Sequence, residues 1–377
     1  MSVEDLTACV VGGGRRLTMA KKRGEELGVD AAGGEAGDEC VVVGRRVGGG
    51  VDDVDLHRLD NTGMAVEITF CVCNSDGRSL LLRSIAAIAA ERGRLPVETE
   101  VLVLDNGSDD GSADAVRALS GAIGLIEIAE RRSKAVNDSE LMERSRGRYC
   151  LLLNEDSELL EGATRALHEA LEADPRAACA VGMLKRPGGA VQPSAWRFPG
   201  VGTALVQALF LHRLFVVQSK GSRVRRVDWG QSAALLVRRE AAEQIGWMDG
   251  DFFVYSDEVD FQKRLADAGW HTLYVPEAVA VHHEQLSSDT VPERRVVELA
   301  RGRDRYMRKH HGRPAAAMVR CLTAWSYFVR MIVALALRRA QWRRYRRDVT
   351  AALWPSRGEG LREAAAARNE RVKLEGP

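Results

Sequence analysis

The residues best suited to chemistry stand in the run RYCLLLNEDSELL, Arg148 to Leu160. A continuous apolar stretch, Tyr149 to Leu153, has the pattern of a strand buried on both faces, and it breaks directly into Asn154, Glu155, Asp156 and then Glu158. Acids at the carboxyl end of such a strand lie where open α/β sheets hold their ligands, and their oxygens can bind a hard divalent cation. The alternative is a turn and helix cap, because Asn, Asp and Ser are favoured there for backbone reasons. Two further apolar segments also end in polar runs. Glu67–Cys73 leads into Asn74-Ser75-Asp76-Gly77, and Glu100–Leu104 leads into Asp105-Asn106-Gly107-Ser108-Asp109-Asp110-Gly111-Ser112.

These runs meet only if particular elements hold them. From Val66 onward strands alternate with helical patterns, the order of a mostly parallel sheet flanked by helices. The spacing predicts strands at Glu67–Cys73, Glu100–Leu104, Gly124–Ile128 and Tyr149–Leu153, a helix over Ser79–Arg92 and another ending at Arg146. In parallel βαβ units the carboxyl ends lie side by side, so Asn74, Asp105 and Asp156 can converge. Between Lys185 and Arg226 the chain reads as irregular, with Pro187, Gly188, Gly189, Pro193 and Pro199.

Composition excludes the unusual classes. With 45% hydrophobic and 28% charged residues in 377, the chain is ordinary globular protein. Its net charge of +1 conceals a basic end, since acid is concentrated before about Glu298 and Arg after it. Seven cysteines, an odd count without zinc-ribbon spacing, point to a reducing, cytoplasmic compartment; Cys71 and Cys73 alternate along one strand toward one face. MSVEDLTACV has no basic segment followed by an apolar one, so nothing suggests export. Residues 1–63 are Gly-rich and read as a weakly ordered extension, with the functional protein expected to begin at or near Met64. VVGGG at Val10–Gly14 does not complete a dinucleotide fingerprint, because Leu17 stands at the third Gly.

The motifs then become specific. LDNGSDDGS from Leu104 resembles the V-D-N-x-S-x-D-G-S run of the family 2 glycosyltransferases, especially the rhamnosyltransferase-like branch with the GT-A nucleotide-diphospho-sugar transferase fold. LLLNEDSEL at Leu151–Leu159 is similar to that branch's metal motif, and Val227 to His283 follows the family's second half block by block. The resemblance covers about Val66 to Ser288 and implies a catalytic domain over 64–290 with a helical, basic region over 291–377. It implies a nucleotide-diphosphate sugar donor, UDP- or dTDP-linked and with rhamnose among the candidate sugars, whose departing diphosphate is neutralised by Mg2+ or Mn2+. By that resemblance Asp156 is the main metal ligand, Asn154 assists from the first position of a degenerate D-x-D, and His282, five residues before Ser287, contacts metal or diphosphate. Asn74, Asp105, Lys134 and Asn137 then line the nucleotide pocket. For Lys134 the plain alternative is an exposed base near a helix start, and for His282 a satisfied core histidine.

A general base is also needed, since a neutral acceptor hydroxyl attacks slowly. FFVYSDEVDFQKRL places Asp257 and Glu258 where relatives read E-D, in swapped order; Glu258 takes the base position, with Asp257 the alternative. One base and one displacement imply inversion at the anomeric carbon. Asp260 orients its neighbours or caps the helix. Gln231 and Ser232 replace part of a G-A-x pattern and, with Trp196 and Arg197, are the candidate acceptor-side residues.

Past Ser288 the pattern is helical and basic. Pro314–Leu337 is apolar, but Arg320 and Arg330 leave an uncharged run of nine residues, far short of the roughly 20 that span a bilayer. Arg320, Thr323, Ser326 and Arg330 fall within about a third of a turn, the pattern of a helix lying in an interface. RRAQWRRYRR at Arg338–Arg347 suits anionic headgroups, so peripheral attachment to the inner face of the plasma membrane is expected, with a glycan or lipid-linked acceptor of cell-envelope polysaccharide synthesis. A helix packed on the catalytic domain with a solvated basic end is the alternative, and no nucleic-acid motif accompanies the tail. The competing function class is a catalytically silent nucleotide-sugar- or glycan-binding scaffold on the same fold.

Overall fold

The computed structural model describes residues 9–10, 41–42, 65–119, 121–284 and 291–375. Cys9–Val10 and Val41–Val42 form a short antiparallel pair; the rest of the predicted extension, and Ser287, lie outside the described residues. From residue 64 onward, apart from 120–122, the chain forms one compact unit, so the basic region belongs with the sheet and not to a separate body.

The chain order is β1 (Ile68–Asn74), α1 (Arg78–Arg92), β2 (Thr99–Asn106), α2 (Ser112–Arg117), β3 (Gly124–Ile128), α3 (Lys134–Arg144) and β4 (Tyr149–Asn154). There follow β5 (Ser157–Leu159), α4 (Ala163–Ala173), β6 (Ala177–Lys185), β7 (Val191–Gln192), β8 (Ala195–Trp196), α5 (Val201–Ala208) and α6 (His212–Phe215). The remainder is β9 (Arg225–Val227), β10 (Trp229–Gly230), β11 (Ala234–Arg238), α7 (Arg239–Gln244), α8 (Asp257–Asp267), β12 (His271–His282), α9 (Pro292–Ala336), α10 (Trp342–Leu353) and α11 (Leu361–Glu375). The main sheet has the order β9-β12-β6-β11-β4-β1-β2-β3, with β5 beside β12 and β7 beside β6. Strands β4, β1, β2 and β3 are parallel, as are β6 and β12, and β11 runs antiparallel between β4 and β6.

Every residue of β1 is buried, because helices cover both faces. Ile68, Phe70 and Val72 join one core with Leu81, Ile85 and Ile88 of α1 and Leu167 and Leu171 of α4. Cys71 and Cys73 point together into the other, against Leu141 and Met142 of α3 and Phe261 and Leu265 of α8. This α/β/α sandwich with a mostly parallel sheet is the predicted fold class. One local reading differs. After Asp156 the chain enters β5, which pairs with β12, so the acidic run is a strand-to-strand turn and caps no helix.

The region from 185 to 226 is more regular than its prolines and glycines suggest, since it holds α5 and α6. Helix α9 is kinked at Gly312 (φ 82°) and packs on α5 and α8 through Ala204, Val259, Tyr306, Met307, Ala316 and Val319. The helix is long and apolar enough to cross a membrane by length and composition, while Arg320 and Arg330 bound an uncharged run of nine residues within it. Its orientation is inverted relative to an ordinary surface helix. Thr323 and Ser326 are buried and Arg320 binds Asp304, whereas Trp325, Phe328, Ile332 and Val333 face outward.

Candidate active site

Two polar loops at the carboxyl ends of β1 and β2 are stapled to each other. Asn74 Nδ2 donates to Asp105 Oδ1 (2.8 Å) and Ser108 Oγ (3.0 Å), Ser108 Oγ donates to Asp105 Oδ1 (2.6 Å), and the Asp109 amide donates to Asp76 Oδ1 (2.7 Å). Asp105 and Asn74 are therefore buried organisers outside the cavity lining, whose polar atoms are used on each other, on Ser108 and on the Gly77 amide. Above them lies a cavity of about 550 Å3. Ser75, Asp76, Asn106 and Asp109 line it at this edge. Asn106 also grips the loop after β3, accepting from the Arg132 amide (2.8 Å) and donating to the Arg132 carbonyl (3.2 Å). Arg131 from that loop binds Asp76.

Ser133 caps α3 by accepting from the Val136 amide (3.2 Å), which sets Lys134 and Asn137 on the cavity side. Lys134 is no exposed base at a helix start. It pairs with Asp138, and although burial opposes its charge, Asp138 and then Asp257 outweigh this and hold the ammonium above the usual lysine range. Asn137 is fully buried and accepts from Arg132 Nε (3.2 Å).

Strand β4 carries Asn154, Glu155 and Asp156 into the same cavity, where the end of β12 brings His282. His282 Nε2 lies 3.4 Å from Asp156 Oδ1 and 3.5 Å from Asn154 Nδ2. Gln192 brings both atoms of its amide to Nδ1, Nε2 at 3.1 Å and Oε1 at 3.3 Å; in the tautomer whose Nδ1–H donates to Oε1, the Nε2 lone pair faces the acid. Asn154 Oδ1 is buried without a hydrogen-bond partner, so the cluster holds an orphaned oxygen beside a carboxylate and an imidazole. That donor set fits Mn2+ or Mg2+. Burial first, and then Asp156, push the Glu155 carboxyl up to about 8. A different His/acid grouping, Glu67, His168 and Glu172, also has ligand spacing. It sits at the amino end of β1, outside the cavity lining, with Arg148 at 3.3 and 3.0 Å from its two acids.

The opposite wall comes from the turn before α8. Tyr255 (φ 66°) and Ser256 (φ 64°) are both left-handed, a strained pairing for side-chain-bearing residues that aims the first turn of α8 at the cavity. Gly302 of α9 permits it, since a Cβ there would meet Tyr255 O at 2.5 Å. Arg295 Nε donates to Tyr255 Oη (3.0 Å). Of the two candidate bases Glu258 lines the cavity, whereas Asp257 is fully buried behind it with neither carboxylate oxygen hydrogen-bonded. Burial, and then the charge of Asp257, raise the Glu258 carboxyl well above the glutamate range. Asp260 points away, to Arg264, Lys309 and His310, and so ties α8 to α9 instead of capping.

Gln231 and Ser232 line the cavity. Trp196 and Arg197 do not. Trp196 stacks on Trp229 (4.7 Å between ring centroids), and Arg197 Nε donates to the Phe215 carbonyl (2.9 Å). Residues that the sequence did not single out complete the wall: Tyr255, Gln192 behind His282, Arg131 and Arg132, and Leu361, Ala364, Ala365, Arg368 and Arg371 of α11. The Arg131-Arg132 pair directly after a strand was a readable signal; α11 offered none.

Comparison with known proteins bears on the family. The family model described as glycosyltransferase like family 2 matches residues 65–327. The N-acetylglucosaminyl-diphospho-decaprenol L-rhamnosyltransferase of Mycobacterium tuberculosis is 31% identical over 225 residues, covering 55% of this chain and 72% of that protein. Among solved structures, mannosyltransferase PcManGT from Pyrobaculum calidifontis in complex with GDP-Man and Mn2+ aligns with a TM-score of 0.48 at 18% identity, over 81% of this chain and 88% of that one. GalNAc-T7 with UDP, GalNAc and Mn2+ aligns at 0.47 and 14%, over 66% of this chain and 50% of that one. With residues 65–327 matched, well over half of its length, the chain belongs to glycosyltransferase family 2.

Proposed function

We propose that this protein is an inverting, metal-dependent transferase that moves a sugar, rhamnose being the leading candidate, from a UDP- or dTDP-linked donor to a lipid-linked glycan acceptor of the cell envelope. The observation that carries the reading is the placement of Glu258 in the wall of the cavity that also holds Asp156, His282 and Asn154. Asp156 and His282, with Asn154 beside them, would hold a Mg2+ or Mn2+ ion, which when bound would supply Lewis-acid neutralisation of the departing diphosphate. Glu258 accepts the acceptor hydroxyl proton as its oxygen bonds to the anomeric carbon. The bond from that carbon to the diphosphate oxygen breaks, and its electron pair leaves with the nucleoside diphosphate. A carboxylate with a raised pKa is a stronger base than an ordinary glutamate and suits this task. Asn74 and Asp105 hold the nucleoside edge in shape, while Lys134 and Asn137 face the donor. The relative that acts on a decaprenol-linked acceptor supports the lipid-linked substrate class.

Membrane attachment belongs to the same proposal. Apolar side chains of the second half of α9 and of α5–α6, including Leu209, Leu214, Phe215, Trp325 and Ile332, are exposed, and Arg330 bridges the two groups by lying 5.1 Å over the Phe210 ring. A patch of this size beside the arginines of 338–347 fits an anionic bilayer surface on the inner face of the plasma membrane.

The test is calorimetric titration with UDP, dTDP and GDP, each with and without Mn2+, followed by NMR assignment of the anomeric product. Metal-dependent binding of one nucleotide, lost in Asp156→Ala, and an inverted product are expected. A folded protein that binds none of the three contradicts the reading and favours the silent scaffold; a retained anomeric configuration removes the single-displacement step.

A further inference from the structure

The helix α11 lies beyond the family match, which ends at residue 327, yet it forms a wall of the cavity. Leu361, Ala364, Ala365, Arg368 and Arg371 follow the spacing of one helical face and all line it, whereas Arg362, Glu363, Ala366 and Ala367 on the other side are exposed. The helix is fastened to the loops that follow β2 and β3. Arg368 is buried and forks onto Asp109, with Nε to Oδ2 at 3.0 Å and Nη2 to Oδ1 at 2.6 Å, while Nη1 donates to the Ala129 carbonyl (2.9 Å). Asn369 clamps the backbone of Arg131 from both sides: its Oδ1 accepts from the Arg131 amide (2.7 Å) and its Nδ2 donates to the Arg131 carbonyl (3.0 Å). Gly107, at φ 66°, makes room, since a Cβ there would stand 2.9 Å from Arg368 Nη1. A guanidinium bonded through all three of its nitrogens and a two-point amide clamp across 238 to 259 residues of sequence form a built junction, unlike a loosely resting tail.

The place of this junction tells what the helix covers. The metal and base groups, Asp156, His282 and Glu258, come from β4, β12 and α8, whereas α11 stands over the ends of β2 and β3. Its cavity face sets Ala364 and Ala365 between Leu361 on one side and two arginines on the other, Arg368 already engaged with Asp109 and Arg371 exposed. That is a surface for the flat face of a heterocycle with a cation beside it, and not a phosphate cradle. We propose that α11 is the cover of the nucleoside half of the donor site: it is latched by Arg368 and Asn369, packs its alanine face on the base, and thereby contributes to nucleotide selection from outside the shared family domain. This rests on the nucleotide-sugar reading of the cavity.

The experiment compares the full chain with Arg368→Ala, which opens the latch, and Ala364→Trp, which fills the space under the helix. Binding of dTDP, UDP and GDP, and of inorganic pyrophosphate, is measured in Mn2+ by calorimetry, with thermal melting to show folding. Both variants are expected to weaken the preferred nucleotide by between about tenfold and a hundredfold, the size of a charge-assisted contact, and to leave pyrophosphate within about twofold. Bound nucleotide is expected to slow amide exchange along 361–375. Unchanged nucleotide affinity in both variants overturns the proposal, as does an equal loss for pyrophosphate; tighter binding in Arg368→Ala overturns it in favour of an inhibitory plug. If the unaltered chain binds nucleotide and loses it in Asp156→Ala while α11 variants change nothing, the cover alone is wrong; if the unaltered chain binds no nucleotide, the donor reading falls and the cover with it.

Discussion

Glu258 and Asp257 are neighbours in sequence with opposite environments. One lines the cavity and the other is fully buried, so replacement separates them. Glu258→Gln is expected to lower kcat by about 10^2- to 10^4-fold, the usual contribution of a positioned base, while nucleotide affinity holds. Because burial and then Asp257 raise its pKa, and because the base acts deprotonated, activity is expected to climb with pH along an acid limb above the ordinary glutamate range. A pH profile of kcat/KM checks the sign; a limb at an ordinary glutamate pKa removes Glu258 from the role. Gln192 acts through His282. Gln192→Leu leaves the imidazole without its Nδ1 partner, and a loss of about 10- to 100-fold in Mn2+ affinity is expected by titration with a folded protein.

At the scale of elements, the site depends on how closely α9 approaches the turn before α8. Glycine inside a helix normally costs about 1 kcal/mol relative to alanine, so Gly302→Ala would stabilise an isolated helix. Here the added methyl meets Tyr255 O at 2.5 Å and Ser256 Oγ at 3.2 Å, and overpacking of that kind costs about 1–3 kcal/mol. The second effect is the larger. Gly302→Ala is expected to lower Tm and also reduce kcat, since the displaced turn carries Glu258; a raised Tm would show that α9 does not press on the turn. The latch of α11 has its own pH signature. Hydrogen bonding from Arg368 lowers the pKa of Asp109, partly opposed by burial, so the docked state keeps its advantage above the ordinary aspartate pKa and loses it as pH falls through the lowered one. Exchange of the 361–375 amides is expected to accelerate only in that acid range.

At the scale of the whole molecule, α9 connects two surfaces. Its first half walls the cavity with Arg294 and Arg295, and its second half exposes apolar side chains beside α5–α6. A lipid-linked acceptor would thus meet an enzyme held at the surface where its lipid is anchored. Phe215→Glu with Trp325→Glu is expected to release the protein from anionic vesicles in a flotation assay while hydrolysis or transfer with a water-soluble acceptor persists. Unchanged flotation would assign this face to another partner.

The amino-acid sequence by itself determined the parallel sheet and the three polar loops, because a strand buried on both faces must be continuously apolar and its break into Asn and Asp is therefore visible, as at Leu151–Asp156. It also determined the family, through motifs whose spacing follows the strand ends. The structure decided what local pattern cannot encode. Asp257 and Glu258 differ by one residue, and only the strained Tyr255–Ser256 turn chooses which faces the cavity. Asn74 and Asp105 read as nucleotide-pocket residues in the sequence; neither lines the cavity, and the hydrogen bond between them depends on two strands lying side by side. Trp196 belongs to a small ladder and Arg197 follows it, and their position outside the lining follows from how β8 pairs with β10 and from the bond of Arg197 to the Phe215 carbonyl. Arg368 was invisible, since nothing in the sequence sets it apart from Arg362 and Arg371 in the same alanine-rich helix, and its meaning arises from a contact 259 residues away. Side-chain period reports burial along one element; which elements meet is settled by packing among all of them.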